Sequence, residues 1–381
     1  MNIAFTKALC APVDRLIEFA GSECCRRKIP SLIAGRAWPL ENNTEAVGDW
    51  LETIYARGAF NGTVLFATGG RIYFHRHYGF TDIDEATPLS SCSSFSLASV
   101  SKQFTAMGIL LLAHRGKLTL RDRLTQHFPE LADYRDVTIE QMLHHTSGLP
   151  DYMDLANEYW DPDNLFTNED LIALFEKYRP PLDFPPGEEF EYSNTGYAML
   201  GNVIARVSGA SYAEFMAGEI LNPLGMNDSA AFNLASKQCP LRCRVFGFRK
   251  RYVCFGKKLR ADLNYLDGVF GDGGLHASAE DLVRWDAALR EGVLLPREIY
   301  RQAYVSGRLN NGTSTGYGFG WEIAAPNVVE HWGEWEGFTS YMRRDVGEHT
   351  LFVLLSNMGP SACVDPISAE LAALVENPQM S

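Results

Sequence analysis

The chain has 381 residues, 46% of them hydrophobic and 21% charged, with a formal net charge of −13. This is the composition of a globular chain of two domains, or of one large domain with an inserted lobe. The acidic balance excludes general nucleic-acid binding, which needs a cationic surface, and no stretch reaches the roughly 18 apolar residues of a membrane span.

Residues 1–43 read as an N-terminal extension without clear periodicity. Lys7 interrupts its first apolar run, Asp14 and Arg15 end it, and no A-x-A-like site follows, so no signal peptide is expected. The cytoplasm is the expected compartment, with periplasm or secretion as the alternative. The eight cysteines are too sparse for a disulfide framework in a chain this long, and free thiols are expected. Cys239 and Cys243 share a C-x3-C spacing, but no second ligand pair lies nearby, so no metal is expected.

Residues 44–57 place Val47, Trp50, Leu51, Ile54 and Tyr55 on one helical face. "GTVLFATGGRIYFHRHYG" then reads as two strands around a Gly69-Gly70 turn. "VSKQFTAMGILLLAHRG" is apolar nearly all round after its first turn, the pattern of a buried helix ended by Gly116. Helices are expected at 138–144, 168–177, 196–207 and 211–220, with 150–165 irregular and 235–265 unassigned. Strands return at 317–323, 328–332, 338–344 and 350–355, and a last helix covers 367–375. Strands at both ends of a helical middle predict an α+β fold: one antiparallel sheet flanked by helices, with an inserted, mainly helical lobe. The expected division is a sheet domain from 44–119 and 271–381, with a lobe at 120–270. The cleft between them suits a small molecule.

Three short motifs carry chemistry. Ser99 and Lys102 form S-x-x-K at a helix start, where side chains one turn apart can meet and free N–H groups face outward. S-x-x-K alone is common by chance. Lys102 activates a serine either as a buried, deprotonated amine or as a cation that lowers the pKa of a second group. "EYSNTGY" supplies such a group in Tyr192, while Asn194 can bond both Lys102 and a substrate. "EHWGEWEGF" places His331 and Gly333 on a strand, where glycine admits close backbone approach.

In this order the motifs Ser99-Val100-Ser101-Lys102, Tyr192-Ser193-Asn194 and His331-Trp332-Gly333 resemble the serine β-lactamase and penicillin-binding-protein superfamily. The resemblance covers roughly 45–360. It is closest to the branch of class C β-lactamases, D-alanyl-D-alanine carboxypeptidases, D-aminopeptidases and family VIII esterases. "LHHTSGLPDY", "GDGGLHASAEDLVRW" and "YGFGW" resemble that branch too. The resemblance implies a β-lactamase/transpeptidase-like fold and an acyl-enzyme on Ser99. Tyr192 with Lys102 would handle the proton, and Asn194 would position the acyl group. The N–H groups of Ser99 and Glu334 would form an oxyanion hole. It implies a small ester, amide or peptide substrate and no cofactor or metal. The oligomeric state is not readable.

His331 stands where lactamases of this branch usually carry lysine, and Glu334 and Glu336 add negative charge. The expectation is therefore an esterase or D-amino-acid peptidase type of activity, with weak β-lactamase or D,D-carboxypeptidase action as the alternative. A sensor acylated once, or a scaffold, is the alternative of another class. Gly312-Thr313-Ser314-Thr315-Gly316 matches G-x-S-x-G but lacks the strand and helix of a nucleophile elbow, and reads as a loop. His144 and His145 are expected to bond loop carbonyls.

Overall fold

A computed structural model describes residues 44–84, 86–236, 238–250 and 258–359. The expected extension at 1–43 and last helix at 367–375 lie outside the described residues.

The chain opens with α1 (Thr44–Ala56), whose Val47, Leu51 and Ile54 pack on one face of the sheet. β1 (Gly62–Thr68) and β2 (Arg71–Tyr78) form the expected hairpin. Gly69 and Gly70 both take positive φ, 58° and 84°, the requirement of a two-residue turn that matches strand twist. β3 (Phe95–Ser96) leads through a 3-10 turn, Ala98–Ser101, into α2 (Lys102–His114). α2 is buried from Lys102 to Leu112, as an all-round apolar helix must be. Its Phe104 stacks on Trp285 with centroids 4.3 Å apart.

Next come α3 (Ile139–Leu143), α4 (Tyr152–Tyr159), α5 (Asn168–Tyr178), α6 (Asn194–Ser208) and α7 (Tyr212–Met216). Most begin at side-chain caps: Thr138 for α3, Thr167 for α5, Ser193 for α6 and Ser211 for α7. α4 falls in the stretch expected to be irregular. The sequence signal there is its cap, with Asp151 accepting from Met153 N–H at 2.8 Å.

Short strands follow: β4 (Ala230–Ala231), β5 (Phe248–Lys250), β6 (Lys258–Arg260) and β7 (Leu275–Ala277). After α8 (Ala279–Glu291) come β8 (Glu322–Ala325), β9 (Val328–Trp335), β10 (Phe338–Asp345) and β11 (Thr350–Ser356). The main sheet runs β2-β1-β11-β10-β9-β8, antiparallel throughout. Its strands come from both ends of the chain, and helices cover it, so the α+β class stands.

Two expectations are corrected. Of residues 317–323, expected as a strand, 317–321 form a tight turn and the strand begins only at Glu322. A Cβ on Gly318 would strike the Ala303 carbonyl, and Gly320, at φ 74°, lies where a Cβ would come within 2.7 Å of Gln103 N. "YGFGW" is therefore spelled for close packing on α2, not for pleating. The thiols are not all free, because Cys92 and Cys243 form a disulfide with Cα atoms 5.8 Å apart, leaving Cys239 free among the described residues. The bond joins positions 151 residues apart beside the Ser94–Cys243 backbone contact. Closing so long a loop restricts the unfolded chain. Cys92→Ser is expected to lose about 2–5 kcal/mol, read by urea denaturation with and without reductant.

Candidate active site

The segment before α2 presents Ser99. Ala98 takes φ 45°, a left-handed conformation that costs a residue with a Cβ about 1–2 kcal/mol. The turn is held by its neighbours. Ser340 Oγ donates to the Leu97 carbonyl at 2.6 Å, and Leu275 N–H donates to Ser101 Oγ at 3.2 Å. Thr105 Oγ1 donates to the Gly271 carbonyl at 2.6 Å. Ser99 is left half-buried in the wall of a cleft.

Lys102 lies fully buried beneath it. Its Nζ donates to Ser99 Oγ at 3.0 Å, to Asn194 Oδ1 at 2.9 Å and to the Asp272 carbonyl at 2.9 Å. Three acceptors exhaust the three protons of an ammonium. Burial lowers its pKa to about 8, against the opposing pull of the Asp272 and Asp151 carboxylates. Asp272 is itself buried, and burial pushes its carboxyl up while Lys102 draws it down. Tyr152 donates to Asp272 Oδ2 at 3.1 Å.

Tyr192 precedes the cap of α6, and Asn194 is that helix's first residue. The Tyr192 ring packs on His145, centroids 4.4 Å apart, and His145 Nδ1 accepts the Ser193 N–H at 2.9 Å. Although 41% of the Tyr192 residue is open to solvent, enclosure of the hydroxyl end pushes its pKa well above the usual phenol range. The Ser99 side chain is the polar group that draws it down. The Lys102 ammonium sits over the ring face, 4.9 Å from its centroid. The free protein thus holds a phenol, not the phenolate that an adjacent ammonium would favour. His144 plays the expected structural part by bonding the Tyr317 carbonyl at 3.0 Å. His145 instead accepts an N–H.

β9 closes the site. β8 pairs with it only at 328–330, so its edge from His331 onward is open on that side. A Cβ on Gly333 would collide with the Leu97 carbonyl and Ser340 Oγ and stand 3.0 Å from Ser99 N. Only glycine lets the strand edge lie against the Ser99 turn. His331 is buried and neutral. Its Nδ1–H donates to the Trp332 carbonyl and its Nε2 accepts the Tyr317 hydroxyl at 2.8 Å. Burial, then Lys102, lower its pKa to about 3. Strand alternation turns the Glu334 side chain to the face of Trp332, whose ring stacks on Tyr341. Glu336 is engaged by Arg249 at 3.2 Å and by Asn264 at 2.6 Å. Glu334 is among the residues that line the cleft, together with Asp267 and Asp272, whereas Glu336 is not.

The structure therefore brings Ser99, Lys102, Tyr192, Asn194, Gly333 and the Glu334 backbone to one place, with His331 set behind as a neutral strut. Sequence reasoning missed Asp151, Tyr152, Asp267 and Tyr317. The quoted motifs "LPDY" and "YGFGW" contain three of them, but nothing in spacing said they would turn inward. Among the described residues no cluster of His, Cys, Asp or Glu is fit to hold a metal ion.

Comparison with known proteins gives the family and the fold. A family model described as Beta-lactamase matches residues 47–376. Penicillin-binding protein 4* of Bacillus subtilis (strain 168) is 35% identical over 327 residues, 83% of this chain and 72% of that protein. A solved penicillin-binding protein from Bacillus halodurans superposes with a TM-score of 0.71 at 27% identity, covering 85% of this chain and 99% of that one. The D-amino acid amidase of Ochrobactrum anthropi SV3, at TM-score 0.70 and 23% identity over 88% of this chain and 98% of its own, shares the fold.

Proposed function

From a chain that belongs to the Beta-lactamase family, within the serine β-lactamase and penicillin-binding-protein superfamily of hydrolases, we propose an enzyme that cleaves a small ester or amide through an acyl-enzyme on Ser99. The proposed activity is of the esterase or D-amino-acid peptidase type. The observation that carries the reading is the Lys102 ammonium, buried and bonded at once to Ser99 Oγ and Asn194 Oδ1. With a pKa of about 8, a useful fraction of Lys102 is the free amine near neutral pH. In that state the Ser99–Lys102 bond reverses, and the hydroxyl proton points at nitrogen. Ser99 Oγ attacks the carbonyl as its proton passes to Lys102. The phenol of Tyr192, beside Ser99 and Lys102, would give a proton to the leaving group and recover one from water in deacylation. The N–H groups of Ser99 and Glu334 stabilise the oxyanion.

Acid-quenching the protein during turnover of 4-nitrophenyl acetate tests this. The expected result is steady turnover and an acetyl group on the peptide that contains Ser99. One stoichiometric burst would mean a sensor, and absence of label a binding or scaffold role.

The Asp272 carboxylate favours the charged form of Lys102. Asp272→Asn keeps an oxygen for Tyr152 but removes that charge. The rising limb of kcat/KM against pH is expected to move to lower pH, because the amine form then persists in more acid solution.

No lysine or arginine is among the described residues that line the cleft, and its charged lining residues are acidic. Slow turnover of benzylpenicillin relative to 4-nitrophenyl acetate is expected, as a carboxylate beside the scissile bond meets no counter-charge there.

The disulfide fits an oxidising compartment better than the cytoplasm. Among the described residues no helix is long and apolar enough to cross a membrane. The division into a sheet domain (44–119, 271–381) and a helical lobe (120–270) belongs to this proposal, with the cleft where they meet.

A further inference from the structure

We propose that the cleft beside Ser99 contains a subsite for an ammonium group, built from the Asp267 carboxylate, the Trp335 ring and His276, so that the acyl half of the substrate carries a free amine. The inference rests on the hydrolase reading above and narrows its substrate class.

His276 is the observation that acidity alone does not supply. It is 1% exposed and lines the cleft, yet neither ring nitrogen makes a hydrogen bond. The Gly274 backbone approaches the ring without completing a bond. Burial, then Arg244, hold it neutral, with a pKa of about 3. One of its nitrogens is therefore an unused acceptor buried in the cleft wall, an arrangement that a donor from a ligand would satisfy.

Asp267 is held rigidly, and burial raises its carboxyl pKa to about 7, so a neighbouring ammonium would draw it to the charged form. Its Oδ1 accepts the Trp335 indole N–H at 2.9 Å and its Oδ2 accepts Asn264 N–H at 2.6 Å, which leaves a lone pair on each oxygen. The same bond fixes the Trp335 ring as a wall of the cleft, and a ring face attracts a cation. The nearby cations are committed elsewhere. Arg244 pairs with Asp262 at 2.7 Å, and Lys102 is shared among Ser99, Asn194 and the Asp272 carbonyl. An ammonium brings three donors to a carboxylate, an imidazole nitrogen and an aromatic face. A carboxylate or phosphate would bring only charge repulsion.

The test has a binding arm and a turnover arm, both near neutral pH. By calorimetry, benzylamine is expected to bind the wild type about tenfold or more tighter than benzyl alcohol. In turnover, D- or L-alanine methyl ester is expected to exceed its N-acetyl counterpart in kcat/KM by a similar factor. Asp267→Asn is expected to bring both ratios toward one. Equal binding of benzylamine and benzyl alcohol by the wild type overturns the subsite, as does a preference that survives Asp267→Asn. If benzylamine binds selectively but no ester is turned over, the subsite stands and the hydrolase reading falls.

Discussion

Ser99→Ala is expected to lower kcat/KM for 4-nitrophenyl esters by about 10⁴-fold or more, measured at saturating enzyme to exclude trace wild type. No other hydroxyl can stand in. Ser101 Oγ is buried and accepts the Leu275 N–H, and Ser96 Oγ is buried on β3, with the Ala98 N–H at 3.4 Å. Lys102 would lose one of its three acceptors, but in the wall of the cleft, where water replaces the missing oxygen. The melting temperature is therefore expected to stay near that of the wild type. A variant that still turned over ester at a substantial rate would remove Ser99 from the mechanism.

Lys102→Met is expected to reduce kcat/KM by about 10³-fold, in the range of general-base catalysis. It is also expected to destabilise the fold, unlike Ser99→Ala. Asn194 Oδ1 and the Asp272 carbonyl would each lose a charged donor in a buried place, at about 1–3 kcal/mol apiece. Lys102→Arg separates the two roles. A guanidinium supplies donors and charge but keeps its proton throughout the accessible pH range, so it cannot act as base. If Lys102 works as an amine, Lys102→Arg is inactive. For the wild type, kcat/KM is expected to rise with pH and level off above about 8, where the amine form predominates. A flat profile across that value would show that proton removal does not pass through Lys102.

The fold class was legible because its signals are local. The Gly69-Gly70 hairpin, the all-apolar run of α2 and the alternating segments from 328 onward each announce one period. The site was legible where motif and element coincide, as with Ser99 and Lys102 on one helical turn. It was less so where a residue's chemistry depends on the far side of the fold. Tyr192 reads as a phenolate partner of Lys102 from sequence. Only the enclosure of its hydroxyl, and the engagement of Lys102 with Ser99, Asn194 and Asp272, show it held as a phenol. His331 likewise reads only as a replacement for lysine until the Tyr317 hydroxyl is seen on its Nε2. Asp267 and Trp335 meet across 68 residues, and Cys92 and Cys243 across 151, separations that no spacing rule connects.

The contact of Gly333 with the Leu97–Ser99 backbone also reaches into how the protein assembles. A β9 strand slipped by one residue against β10 would offer Trp332 or Glu334 to that turn, and one slipped by two would offer His331 or Trp335. None of these fits where a single hydrogen atom is tolerated. The nucleophile's turn thus acts as a gauge that only the native pairing passes, so a chain able to complete its catalytic centre has already proof-read the middle of its sheet.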